Sequence, residues 1–196
     1  MSENARTGST RRTTKETDLS VDLTLDGKGA IEIDTGVGFL DHMLTSLAFH
    51  AGWDLTLSAR GDLQIDDHHT VEDTALALGS AVADALGDRA GISRFASAYA
   101  PLDEALARVV VDVSGRPFCA ADLGLRRERV GELSCENVPH FFSSFAQSAG
   151  LTLHVDVLRG ANDHHRIEAA FKALALALRD ALARRTGGIR STKGVL

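Results

Sequence analysis

The sequence predicts an α+β protein made from two copies of one half-domain, each a sheet with helices packed on one face. Three observations predict it. The hexapeptide Asp67-His68-His69-Thr70-Val71-Glu72 returns 96 residues later as Asp163-His164-His165-Arg166-Ile167-Glu168. Each copy opens a stretch of helical periodicity: Val71, Ala75, Leu78, Val82 and Ala85 in the first, and Ile167, Phe171, Leu174, Leu178 and Ala181 at the same displacement in the second. The strand-like segment Glu104 to Gly115 (EALARVVVDVSG) also matches Glu16 to Gly27 (ETDLSVDLTLDG). Self-similarity of successive segments in the same order marks one plan used twice, and strands alternating with amphipathic helices place the helices against one face of each sheet.

In chain order, residues 1–14 are polar and predicted to be a disordered N-terminal arm, and 15–93 form the first half-domain. Leu19, Val21, Leu23 and Leu25 alternate with polar residues and end in the Asp26-Gly27 turn, so a strand is expected. A second strand is expected at Ala30 to Ile33. Leu40, Leu44, Leu47 and Ala51 fall at helical spacing, and Gly52 closes that helix. Asp54 to Ala59 alternates again, and the helix after the first His-His pair runs to Gly87-Asp88. Gly91 to Ala100 is read as a connection carrying Arg94.

The second half-domain, 94–185, repeats the order: a strand over Glu104 to Gly115, another over Pro117 to Leu123, and a charged loop over Arg126 to Glu132. A helix follows from His140 with Phe142, Phe145 and Ala149, closed by Gly150; then come a strand over Leu151 to Val157 and the second motif helix. His42 and His140 each stand ten residues before a helix-closing glycine. Residues 186–196 are a short, glycine-rich basic tail that composition alone reads as a frayed end.

Composition narrows the function classes. The 44% hydrophobic and 24% charged content is that of an ordinary globular protein. The net charge of −6 argues against nucleic acid as a partner. No apolar run of about 18 residues is present to span a membrane, and Met1 to Asp18 lacks the apolar core of a secretory signal. Two cysteines, Cys119 and Cys135, do not make a disulfide scaffold, so a reducing cytoplasm is expected.

Six of the eight histidines occupy duplicated positions: His42, His68 and His69, then His140, His164 and His165. Glu72 and Glu168 complete the pattern. Imidazole with carboxylate suits Mn, Fe, Co, Ni or Zn. Residues three or four apart share a helix face, whereas neighbours diverge by about 100°, so His68 and His69 should serve different ions. The expected sets are His42, His69, Glu72 and His164 for one ion, and His140, His165, Glu168 and His68 for the other. Four protein ligands leave positions open for substrate on an octahedral ion. A lone histidine is more often a surface residue, which is the reading for His154; His50 is left open. Arg94, Arg116 and Lys172 suit an anionic substrate, and Arg190, Ser191 and Lys193 with Gly194 resemble a phosphate clamp.

The segments GFLDHML, DDHHTVED, DEALARVVVDVSGRP, NVPHFF, AGLTLHV, NDHHRIEAAFKAL and STKG together closely resemble imidazoleglycerol-phosphate dehydratases, over roughly Arg11 to Leu196. That resemblance implies loss of water from imidazole-glycerol phosphate to give imidazole-acetol phosphate in L-histidine biosynthesis, through a metal-bound imidazolate. It implies four-stranded sheets, each with two helices on one face, of the ribosomal protein S5 domain 2-like type. It also implies two Mn²⁺ per active site, assembly from trimers into a 24-mer, and a site with ligands from different chains. Glu16, Glu72 and Glu168 become the candidate catalytic carboxylates, with Glu16 as acid/base. Arg94, Arg116, Ser191, Thr192 and Lys193, assisted by Lys172, become the phosphate-binding set, which turns the tail into part of the active site. Substrate contacts are implied for Glu16, His42, His68, His69, Glu72, His164, His165 and Glu168 as well. Pro139 stands before His140 where many members carry an acidic residue, and Pro is tolerated in a helix's first turn. The competing classes are a non-catalytic metal-binding protein, which needs no Arg/Lys/Ser cluster, and a di-metal hydrolase, which usually needs bridging carboxylates.

Overall fold

The computed structural model describes residues 5–194. Residues 1–4 of the expected arm and 195–196 of the tail lie outside the described residues. The first half comprises β1 (Thr7–Thr13), β2 (Thr17–Thr24), β3 (Ile31–Asp34), α1 (Gly38–Ala51), β4 (Asp54–Gly61) and α2 (His68–Leu86). The second comprises β5 (Phe95–Leu102), β6 (Ala105–Asp112), β7 (Phe118–Asp122), the short pair β8 (Arg129–Val130) and β9 (Leu133–Ser134), α3 (Asn137–Ala149), β10 (Thr152–Arg159) and α4 (Asp163–Ala181).

The duplication is visible in the topology. One sheet has the order β1-β2-β4-β3 and the other β5-β6-β10-β7. In each, the first three strands are antiparallel neighbours and the last pairs in parallel, β3 on β4 and β7 on β10. Alternation decides which face is inside: Leu19, Val21 and Leu23 of β2 are buried, as are Val109 and Val111 of β6, while the residues between them turn outward. The helices lie between the sheets, with α2 on β1 and β2, α4 on β5 and β6, and the pairs α2·α3 and α1·α4 closing the middle. One continuous apolar core results. The α2–α3 crossing is close because Gly79 lies there: a Cβ would stand 2.7 Å from the Phe145 carbonyl oxygen. Gly52 and Gly150 end α1 and α3 in left-handed conformation, with φ of 75° and 65°, as their place in the sequence predicted.

Three expectations are corrected. Residues 7–13 of the expected disordered arm form β1, and Phe95 to Ala100, read as connection, lie within β5. Both are edge strands on a motif helix, where the backbone comes too near for large side chains. In β1 a Cβ at Gly8 would overlap the Ala81 carbonyl oxygen at 2.0 Å. In β5 alanines face inward while Phe95 and Tyr99 face out, so the usual apolar alternation is missing or inverted. Within the loop 126–132, Arg129–Val130 pairs with Leu133–Ser134.

Candidate metal centre

The motif helices start where the aspartate before each His-His pair anchors them. Asp67 is buried, and its carboxylate accepts from the Ser134 amide at 2.7 Å and the Ser134 hydroxyl at 2.6 Å. Burial alone pushes its carboxyl up, but the Ser134 hydrogen bonds more than offset this and hold it below its ordinary value. Asp163 makes the equivalent tie, accepting from the amides of Arg126 and Arg127 at 2.8 and 2.7 Å. Both helix starts are thus fixed to the segment between β7 and α3, and the imidazoles project from rigid turns.

Two triads form. Glu168 Oε2 lies 3.3 Å from His42 Nε2 and 3.2 Å from His164 Nε2. Glu72 lies 3.5 Å from His140 Nε2 and 3.9 Å from His68 Nε2. Within each triad the three ligand atoms fall within 4.8 Å of one another, a spacing that one cation can gather. His140 Nε2 is buried without a hydrogen-bond partner; an orphaned imidazole nitrogen beside a carboxylate is what a metal ligand looks like without its ion. The His68 ring stacks on His140 at 4.8 Å, and its Nδ1–H donates to Asn137 Oδ1 at 3.1 Å.

The expected ligand sets recombine. Glu72 was expected beside His42, His69 and His164, and Glu168 beside His68, His140 and His165. Each glutamate instead faces the histidine four residues earlier, not three, so Glu168 joins His42 and His164 while Glu72 joins His68 and His140. The packing of α1 on α4 and of α2 on α3 supplies the third ligand. His69 and His165 belong to neither triad. His69 Nδ1 lies 3.1 Å from Asp62, with Glu16 4.0 Å from its Nε2. His165 Nδ1 lies 2.7 Å from Glu104, with Asp103 3.9 Å from its Nε2. The carboxylate hydrogen bonds raise both imidazoles above their ordinary pKa, and His165 with the amides of Asn162 and Ala161 holds Glu104 down at about 2. Asp62, Glu104 and Asn137 were missed in sequence. Only Glu104 carried a signal, as the duplicate of Glu16.

Lys172 Nζ lies 2.6 Å from Glu168 Oε1. Burial pushes the Glu168 carboxyl up, but Lys172 and His42 outweigh it and the net position is low. His50 stays outside the triads, its imidazole held below its ordinary value by burial and then by the nearby Lys172 charge. His154 lies on the outer face of β10 beside Phe118.

The anion-binding candidates gather at the other end of the molecule. The Arg94 amide donates to the Ala181 carbonyl at the end of α4, about 20 Å along the helix from Glu168 at 1.5 Å per residue. The Arg94 guanidinium clasps Asp112 at 2.8 and 3.2 Å and donates to the Arg190 carbonyl. Ser191, Thr192 and Lys193 form a turn there, and residues 185–188 and Arg190 with Gly91 and Ile92 border a cavity of about 590 Å³. Arg116 is exposed in the β6–β7 turn, next to the start of β10. Within one chain these residues do not meet the triads.

Comparison with known proteins places this geometry in context. The family model described as imidazoleglycerol-phosphate dehydratase matches residues 35–178. The imidazoleglycerol-phosphate dehydratase of Schizosaccharomyces pombe is 62% identical over 172 residues, 87% of this chain and 79% of that one. That of Phytophthora nicotianae is 61% identical over 186 residues, 94% of this chain but 41% of the longer relative. The crystal structure of the Pyrococcus furiosus protein superimposes with a TM-score of 0.83 at 39% identity, covering 95% of this chain and all of that one.

Proposed function

The chain belongs to the imidazoleglycerol-phosphate dehydratase family, a family of hydro-lyases, and from that premise we propose that it converts imidazole-glycerol phosphate to imidazole-acetol phosphate in the cytoplasm with two Mn²⁺ per active site. The single observation that carries this reading is the pair of His-Glu-His triads, one with an orphaned buried imidazole nitrogen. His42, His164 and Glu168 would hold one ion, and His68, Glu72 and His140 the other. When bound, the ions supply Lewis acidity that lowers the pKa of the substrate's azole ring.

The chain's own groups do the rest. Glu16, half-exposed and 4.0 Å from His69 Nε2, carries the proton taken from carbon and returned to the leaving hydroxyl. Lys172 keeps Glu168 ionised, and so ready to bind a cation. Arg94, Arg116, Ser191, Thr192 and Lys193 bind the phosphate. That assignment requires a shared site, because the anion-binding end and the triads are separated along α4. One copy then presents its tail end to the triads of another, and His69 and His165 complete the ligand sets across the same boundary.

Self-association into trimers and a 24-mer has support on the surface. The outer face of the β5-β6-β10-β7 sheet exposes Phe95, Tyr99, Val110, Phe118 and Leu158. The equivalent face of the other sheet carries Asp18, Asp22, Thr56 and Ser58. Two sheets of one design differ in this way when one of them is covered by another copy.

The test is turnover of imidazole-glycerol phosphate by the full chain, metal-stripped and then resupplied with Mn²⁺. Activity that returns with Mn²⁺ supports the reading; a chain that binds Mn²⁺ and turns nothing over is a metal-binding protein.

A further inference from the structure

His69 and His165 are the two duplicated imidazoles without a place in a triad, yet neither is loose. Each has its Nδ1 against a carboxylate, at 3.1 Å for Asp62 and 2.7 Å for Glu104. A carboxylate only accepts, so the ring proton sits on Nδ1 and the Nε2 lone pair points away. We propose that Asp62 and Glu104 are positioning residues that lock His69 and His165 in the tautomer and orientation needed to ligate a cation through Nε2. The inference rests on the metal reading above and deepens it, since outer carboxylates of this kind both orient an imidazole and strengthen it as a ligand.

The two halves reach this arrangement by different routes. Glu16 and Glu104 each precede the second strand of their sheet, β2 and β6. In the second half Glu104 is fully committed: Oε1 accepts from the amides of Ala161 and Asn162 at 2.9 and 2.8 Å, and Oε2 accepts from His165. In the first half Asp62, just after β4, takes the imidazole instead. The residue just after the equivalent strand β10 is Gly160, which has no side chain to offer, so Asp62 is a substitute from outside the duplicated pattern. Glu16 is thereby left 4.0 Å from His69 Nε2, beyond hydrogen-bond reach, and stays half-exposed. One member of a duplicated carboxylate pair has become a structural clamp and the other remains available to substrate.

The geometry sets up an unequal pair of amide variants. In Glu104→Gln the side-chain oxygen stays on the Ala161 and Asn162 amides, because an NH₂ cannot accept from them. The NH₂ then faces His165 Nδ1 and donates, which moves the ring proton to Nε2 and removes the ligating lone pair. In Asp62→Asn both side-chain termini lie near Nδ1, at 3.2 and 3.1 Å, so the amide can turn its oxygen to the ring and preserve the tautomer. Mn²⁺ binding by the full-length chain is followed by loss of the free-ion electron paramagnetic resonance signal, with melting of the metal-free proteins as a control. Glu104→Gln and Asp62→Ala should each weaken Mn²⁺ binding by about 10- to 100-fold in metal-free proteins that remain fully folded at the assay temperature, while Asp62→Asn stays close to wild type. Wild-type binding that neither variant weakens overturns the inference alone, as does Glu104→Gln binding as well as Asp62→Asn. A wild-type chain that takes up no Mn²⁺ overturns the metal reading and this inference with it.

Discussion

Lys172 Nζ stands 2.6 Å from Glu168 Oε1, one helical turn further along α4. The equivalent position in the first half holds no cation: the residue 96 positions earlier is Leu76, and Glu72 is 37% exposed where Glu168 is 11%. The more buried carboxylate is the one given a partner. Lys172→Met leaves that carboxylate with only the His42 and His164 imidazoles beside it, and removing one partner of a largely buried pair costs about 1–3 kcal/mol. Urea denaturation of the metal-free chain at pH 7 should show this loss. Saturating Mn²⁺ should reduce it, because the ion restores a positive charge beside Glu168.

Gly79 sits mid-helix in α2, where alanine would ordinarily stabilise by about 1 kcal/mol. Here the added Cβ would meet backbone atoms of α3 at 2.7 and 2.9 Å, the Phe145 oxygen and the Ala149 nitrogen. Backbone cannot rotate aside, so overpacking wins at a cost of about 1–3 kcal/mol. Gly79→Ala should lower the denaturation midpoint, and a midpoint equal to wild type would mean that α2 and α3 are not in such close contact.

The central strands and all four helices were legible because their burial follows a simple period: Leu19, Val21 and Leu23 for β2, or Ile167, Phe171, Leu174 and Leu178 for α4. The edge strands β1 and β5 were not, since close approach of a helix selects glycine and alanine on the inner face and erases the pattern. The residue types of the two triads were legible from the duplicated histidines. Which carboxylate meets which imidazole was not, because His68 and His69 both lie within one turn of Glu72 and only helix packing chooses between them. The distance from Arg94 to the triads is a property of the folded α4 and has no counterpart in local sequence.

Glu16→Gln keeps the size of the side chain and removes its capacity to carry a proton. The residue lies outside both triads, so Mn²⁺ stoichiometry should match wild type while kcat falls by about 10²–10⁴-fold. Steady-state kinetics beside metal analysis separates the two; normal turnover would remove Glu16 from proton transfer.

Asp26 joins both ends of the described chain, with Arg6 at 2.6 and 2.9 Å and Arg184 at 3.0 and 3.2 Å. The Arg6 hydrogen bonds lead the causes that hold its carboxyl below the ordinary value. A depressed carboxyl stabilises the fold above its unfolded pKa, near 4, and that contribution is lost as pH falls through the lower folded value. The carboxylate is 40% exposed, so solvent screening leaves about 0.5–1 kcal/mol. Asp26→Asn should therefore melt about 1–4 °C lower at pH 7 and the gap should close as acidification protonates the Asp26 carboxyl, as scanning calorimetry over a falling pH series would show.

A shared site makes a prediction that no single-chain site can satisfy. His140→Ala damages a triad but leaves the anion-binding end intact. Deletion of residues 191–196 removes Ser191, Thr192 and Lys193 but leaves both triads intact. Each protein alone should be nearly inactive, the first through loss of bound metal and the second through a strongly raised KM. If triads and tail came from the same chain, mixing the two could restore nothing, since every chain would still lack one part. If they come from different copies, some boundaries in a mixed assembly join an intact triad to an intact tail. Random mixing at equal amounts makes such boundaries up to about a quarter of the total in a head-to-tail arrangement, fewer if a third copy also contributes. The two variants should be dissociated, mixed, reassembled with Mn²⁺ and assayed at a substrate concentration near the wild-type KM. Recovered activity well above the sum of the separate proteins places the tail of one copy at the triads of another. Strict additivity would return Arg94 and the tail to a role away from the metal centre.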